Sequence, residues 1–186
     1  MDYKALIRPL MGEKRYNHSC AVAEQARHLA EKWGADPQKA WDAGILHDIC
    51  KDMPKEEQLK CIRENGIIPS DILMGSKSLW HSLAGSLYLP TVGVTDPEIL
   101  SAVRYHTSGR PEMSLLEQIV YLADLTSSDR DYPDAARMRE LCELSLDKAT
   151  FAAMQFIIGD LASRAKLIGE TTWSAYNYYL AKVTEE

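Results

Sequence analysis

Apolar positions recur at helical spacing along nearly the whole chain. In "EKRYNHSCAVAEQARHLAEKW" (13–33), Cys20, Val22, Ala26, Leu29, Ala30 and Trp33 fall mostly three or four residues apart, and Gly34 follows as a stop. The stretch "DPQKAWDAGILHDIC" opens with Asp36 as an N-cap and Pro37 at the first helical position, and the spacing predicts a helix with His47 at its close. "MPKEEQLKCIRENG" places Pro54 near a start and Gly66 at an end. Further helices are expected over 77–89, 95–106, 114–125 and 134–144, and a final run from Leu146 to Lys182 should break near Gly169. The intervening segments are short and rich in Gly, Pro and Ser, and no alternating runs mark strands. The expectation is a single all-α domain, without repeat, linker or low-complexity tract.

A length of 186 residues suffices for one domain with a substantial core, and 46% hydrophobic with 26% charged residues is a folded protein's profile. The net charge of −6 argues against broad nucleic-acid binding. It leaves room for a small anionic ligand held by a local cation. Four cysteines, Cys20, Cys50, Cys61 and Cys142, form no CxxC pair. With no apolar leader in "MDYKALIRPL" and no membrane-length apolar stretch, the expectation is a cytoplasmic protein with reduced thiols. No heptad run argues for a dimer, although exposed apolar residues on an all-α surface would permit a homodimer.

The stretch "AGILHDICKD" (43–52) changes the picture, because it carries an apolar helix face straight into His47-Asp48, with Lys51 three residues beyond the carboxylate. Burying a carboxylate is costly unless a cation meets it. His18, His81 and His106 lie on other predicted helices, and Asp124 is a second carboxylate near the end of an apolar helix. The remaining histidine, His28, sits in ordinary amphipathic sequence. Singly, each of these residues reads as a core or surface residue. Jointly, four imidazoles and two carboxylates occur where apolar helix faces end. Imidazole with carboxylate suits iron, manganese, zinc or cobalt better than calcium, and six ligands suit two metals sharing Asp48 better than one.

The ordered set His18, His47-Asp48, His81, His106, Asp124 resembles the HD superfamily of metal-dependent phosphohydrolases in its two-metal form. "HTSGRPEMSLLEQIVYLADLTSSDR" is similar to the YqeK-type symmetrical bis(5'-nucleosyl)-tetraphosphatases, as is the late "AYNYYL". The resemblance implies a helical HD bundle over residues 1–186, with a metal-binding core at about 18–130 and C-terminal helices at 134–184. It implies two transition-metal ions, iron first with manganese or cobalt as alternatives. It also implies hydrolysis of diadenosine tetraphosphate to two ADP. Asp48, Lys51 and Arg130 would then be catalytic, with Lys51 and Arg130 on phosphate oxygens. Thr107, Ser108, Arg110 and Asn177 would contact substrate. The chain departs from the family where a lysine and a glutamate commonly precede the arginine, reading Leu125-Thr126-Ser127-Ser128-Asp129-Arg130 instead. Other nucleotide phosphohydrolase or phosphodiesterase activities share the same metals, and a non-catalytic nucleotide-binding domain is the third reading.

Overall fold

Capping decides where most helices begin. The computed structural model describes residues 1–185, and among these the chain forms eleven α-helices and no strand. These are α1 (Tyr3–Ile7), α2 (Glu13–Trp33), α3 (Pro37–Leu46), α4 (Lys55–Glu64), α5 (Asp71–Gly75) and α6 (Trp80–Tyr88). They continue as α7 (Pro97–Tyr105), α8 (Leu115–Thr126), α9 (Ala135–Leu144), α10 (Leu146–Ser163) and α11 (Glu170–Thr184). Asp36 accepts from the amides of Gln38 and Lys39, and Asp96 caps α7 in the same way, each followed by proline. Ser114 and Glu117 form a reciprocal capping box at the start of α8.

The helix expected over "DPQKAWDAGILHDIC" ends at Leu46, and His47 to Cys50 form tight turns in which Ile49 N donates to Leu46 O at 3.0 Å and Lys51 N to Asp48 O at 2.8 Å. The C-terminal run breaks after Ser163, where Ala165 takes a positive φ of 50°, and resumes with Gly169 as N-cap of α11. Helices α1 and α5, of five residues each, are too short to carry a periodic signal.

Helix α8 forms the spine: nine of its twelve residues are buried, from Leu116 to Thr126. It packs against α2, α7, α9 and α10, while α3 lies along α2 and α7, and α10 pairs with α11. The resulting core draws on Val22, Leu29, Ile45, Leu46, Val103, Ile119, Leu122 and Met154. Burying one such side chain contributes about 1.5–3 kcal/mol, which is what drives the helices together around α8.

Cys142, on α9, is fully buried, and burial pushes its thiol up to about 12. In native protein at pH 8 it should therefore resist iodoacetamide and react only after denaturation. Peptide mass mapping checks this, and rapid native labelling would show that α9 opens readily.

Candidate metal centre

Five separate elements deliver the six residues. His18 comes from α2, His47 and Asp48 from the turn after α3, His81 from the first turn of α6, His106 from the end of α7 and Asp124 from the last turn of α8. Successive rings lie edge to face, with centroids 5.3 Å apart for His18–His47, 4.9 Å for His47–His106 and 5.1 Å for His81–His106. All four imidazoles and Asp48 are buried, at 5% exposure or less. His28 lies elsewhere, exposed and 3.0 Å from Glu143.

The ring orientations decide what the cluster can hold. His47 Nδ1 donates to Gly44 O and His106 Nδ1 to Val103 O, each at 2.7 Å. With Nδ1 of each ring turned to a backbone carbonyl, Nε2 is the ring atom that faces the centre. Burial lowers the pKa of His81 to about 4, so this ring is neutral at pH 7. Its Nε2 lies 3.0 Å from Asp48 Oδ1 and 3.1 Å from His106 Nε2. His47 Nε2 and Asp48 Oδ1 are buried and in no hydrogen bond. Ring nitrogens and carboxylate oxygens thus converge in a buried site where His47 Nε2 and Asp48 Oδ1 lack hydrogen-bond partners, which is unfavourable unless a cation joins them. The donor set fits a transition metal.

Two overlapping groups emerge, each with ligand atoms within 4.8 Å of one another: His18, His47 and Asp124 on one side, and His47, Asp48 and His106 on the other. Burial opposes ionisation of Asp48, but His47, His106 and His81 together hold its carboxyl well below the usual range. Burial likewise opposes ionisation of Asp124, whose carboxyl is nonetheless held low by His18, His47 and Arg130.

Cations ring the cluster. Lys51 Nζ lies 3.1 Å from His81 Nε2 and 3.7 Å from Asp48 Oδ1. Arg130 pairs with Asp124 and sits 3.3 Å from His18 Nε2, while Thr107 Oγ1 is 3.2 Å from His81 Nε2. Two further residues are placed here that no pattern in the sequence marks. Arg15, one turn before His18 on α2, pairs with Asp48 at 2.6 Å, and Asp129 Oδ2 accepts from His18 Nδ1 at 2.8 Å.

Three expected substrate contacts are not brought to the centre. Arg110 is committed to the buried Glu117 carboxylate at 2.7 Å, because Glu117, at 1% exposure, needs a cation of its own. Ser108 donates to the neighbouring Gly109 carbonyl. Asn177 is exposed on α11 and makes no described contact with the cluster.

A family profile for the HD domain matches residues 15–129, a span running from Arg15 to Asp129. The chain belongs to the HD domain family. Its relatives include HD proteins named symmetrical bis(5'-nucleosyl)-tetraphosphatase, and each alignment covers nearly all of both chains. The Bacillus subtilis (strain 168) protein is 36% identical, with 95% of both chains covered. The Halalkalibacterium halodurans protein is 38% identical, with 94% of both covered. The fold matches a crystal structure described as a predicted HD superfamily hydrolase involved in NAD metabolism from Clostridium acetobutylicum. That match has a TM-score of 0.94 at 31% identity and covers 97% of this chain and 96% of that one.

Proposed function

We propose that this HD-domain protein is a metal-dependent hydrolase that cuts diadenosine tetraphosphate symmetrically into two ADP. The observation that carries it is a buried set of imidazole and carboxylate acceptors that needs cations, bordered by Arg15, Lys51 and Arg130 on a protein of net charge −6. That combination selects a small polyanion, since the remaining surface repels extended ones. The substrate follows from the names of near-full-length relatives.

His18, His47 and Asp124 would hold one metal ion and Asp48, His81 and His106 a second, with His47 and Asp48 lying between them. Iron is favoured, and manganese or cobalt would also suit these ligands. When bound, such ions supply Lewis acidity toward phosphoryl oxygens and activate water at neutral pH. The chain's own groups orient the polyphosphate. Lys51, a third exposed, and Arg130 at 34% exposure offer charged donors at the rim, and Thr107 offers a hydroxyl beside His81. No described helix is long and apolar enough to cross a membrane.

Lys51→Ala is expected to retain its metal and lose about 10- to 100-fold in kcat/KM, the worth of one charge-assisted hydrogen bond. Metal analysis beside steady-state kinetics checks this, and unchanged turnover would reduce Lys51 to a partner of Asp48. The function itself is tested by incubating purified protein with diadenosine tetraphosphate and ferrous, manganese or cobalt ion, then separating products by anion exchange. ADP alone is expected. ATP with AMP would overturn the symmetrical register, and no cleavage with any metal would overturn the substrate.

A further inference from the structure

The turn between α8 and α9 carries the chain's departure from the family pattern, and it closes onto the metal centre. Asp129 Oδ2 lies 2.8 Å from His18 Nδ1, across 111 residues of sequence. The carboxylate is itself oriented, since Ser127 Oγ donates to Asp129 Oδ1 at 2.7 Å. Arg139 on α9 then pins the turn, donating to Thr126 O and Ser127 O at 2.9 Å each and to Arg130 O at 2.6 Å. Arg130 Nε completes the brace on Asp124 O at 2.7 Å. One turn thus fixes both an imidazole from α2 and the backbone beside the carboxylate of α8.

The geometry points to Asp129 as a positioning residue for the metal ion held by His18, His47 and Asp124. By accepting from Nδ1, Asp129 fixes the ring's orientation and keeps Nε2 turned to the Asp124 side of the cluster, 2.9 Å from Asp124 Oδ1. Ser127 and Arg139 hold Asp129 at the required distance. The side chain keeps 40% of its surface exposed, so its removal leaves no void in the core. This inference rests on reading the cluster as a metal centre, and it is independent of which nucleotide is cleaved.

Cobalt(II) titration of the purified, metal-stripped protein provides the test, followed by calorimetry and by the visible ligand-field spectrum. In Asp129→Ala, one of the two cobalt equivalents is expected to bind about 10- to 100-fold more weakly with an altered spectrum, while the other is unchanged. Asp129→Asn keeps an oxygen acceptor within reach of Nδ1 and is expected to restore most of that affinity. Asp129→Ser stays polar but is too short to reach and should behave like alanine. Unchanged cobalt affinity and spectrum in Asp129→Ala, or equal weakening by asparagine and serine, would overturn the positioning role. Wild-type protein that binds no cobalt would overturn it together with the metal centre. Wild-type protein that cleaves no dinucleotide, while Asp129→Ala still weakens one equivalent, would overturn the substrate and leave the positioning role standing.

Discussion

Replacing Asp48 with alanine is expected to remove metal from the His81–His106 side and turnover with it, while leaving the helical fold in place. Asp48 is 2% exposed and meets three ring nitrogens: His81 Nε2 at 3.0 Å, His47 Nε2 at 3.3 Å and His106 Nε2 at 3.5 Å. Its two oxygens face opposite ways, Oδ1 toward His81 and His106 and Oδ2 toward His47 and Arg15. No other carboxylate among the described residues reaches the His81–His106 side, so an ion held there would lose its charge-neutralising ligand. A turnover loss of at least about a thousandfold follows, about 4 kcal/mol of transition-state stabilisation. Stability should change far less. Removing one partner of a buried pair ordinarily costs about 3–5 kcal/mol, but the stranded Arg15 is 28% exposed and can turn to water. Metal analysis, circular dichroism and kinetics on the same preparation separate these effects. His28→Ala, in an exposed pair with Glu143, should leave all three unchanged. Full turnover by Asp48→Ala would mean the reaction runs elsewhere on the protein.

The residues differ in how legible they are from the chain. Helix α2 begins and ends where its apolar spacing and Gly34 say it should, because a 21-residue amphipathic helix repeats its signal over several turns. His18, His47, His81, His106 and Asp124 stand out because each interrupts or ends an apolar face, and only convergence could justify burying them all. What the chain conceals is pairing across long separations. Arg110 sits beside a predicted ligand in "HTSGRP", yet its charge is taken by Glu117, whose buried position depends on how α8 packs against α7. Arg15 and Asp129 look like ordinary surface charges until α2 and the turn after α8 are brought together. The tight turns from His47 to Cys50 are likewise hidden, since the apolar pattern continues through Ile49 after the helix has ended.

Gly44 connects the packing of the bundle to the candidate metal centre, and Gly44→Ala is expected to be clearly destabilising although it adds a single methyl group. A Cβ at this position would lie 2.8 Å from Ala23 Cα and 3.1 Å from both Ala23 N and Val22 O. All three are backbone atoms of α2, so no side chain can rotate aside and the two helices must separate. Overpacking of this kind costs about 1–3 kcal/mol, and contact with fixed backbone places it at the upper end. The higher helix propensity of alanine returns about 1 kcal/mol, leaving a net loss of about 2 kcal/mol. For a chain of this size that lowers Tm by about 4–8 °C. Gly85→Ala separates this effect from a general intolerance of added methyls. Its Cβ would meet two side-chain tips, Val103 Cγ1 at 3.3 Å and Ile49 Cγ2 at 3.5 Å, and would touch the His47 carbonyl oxygen only at an ordinary 4.0 Å, so its Tm should stay within a degree or two of wild type, about 0.5 kcal/mol. The second consequence is chemical. The Gly44 carbonyl accepts the His47 Nδ1 proton at 2.7 Å, and the same turn carries Asp48, so parting α3 from α2 would displace a residue of each candidate ligand group. Gly44→Ala should therefore weaken both cobalt equivalents, unlike Asp129→Ala, which weakens one. A Gly44→Ala protein as stable as wild type would mean that the α2–α3 spacing adjusts freely. A destabilised one with intact metal affinity would mean that the turn at His47–Cys50 holds its geometry without the helix behind it.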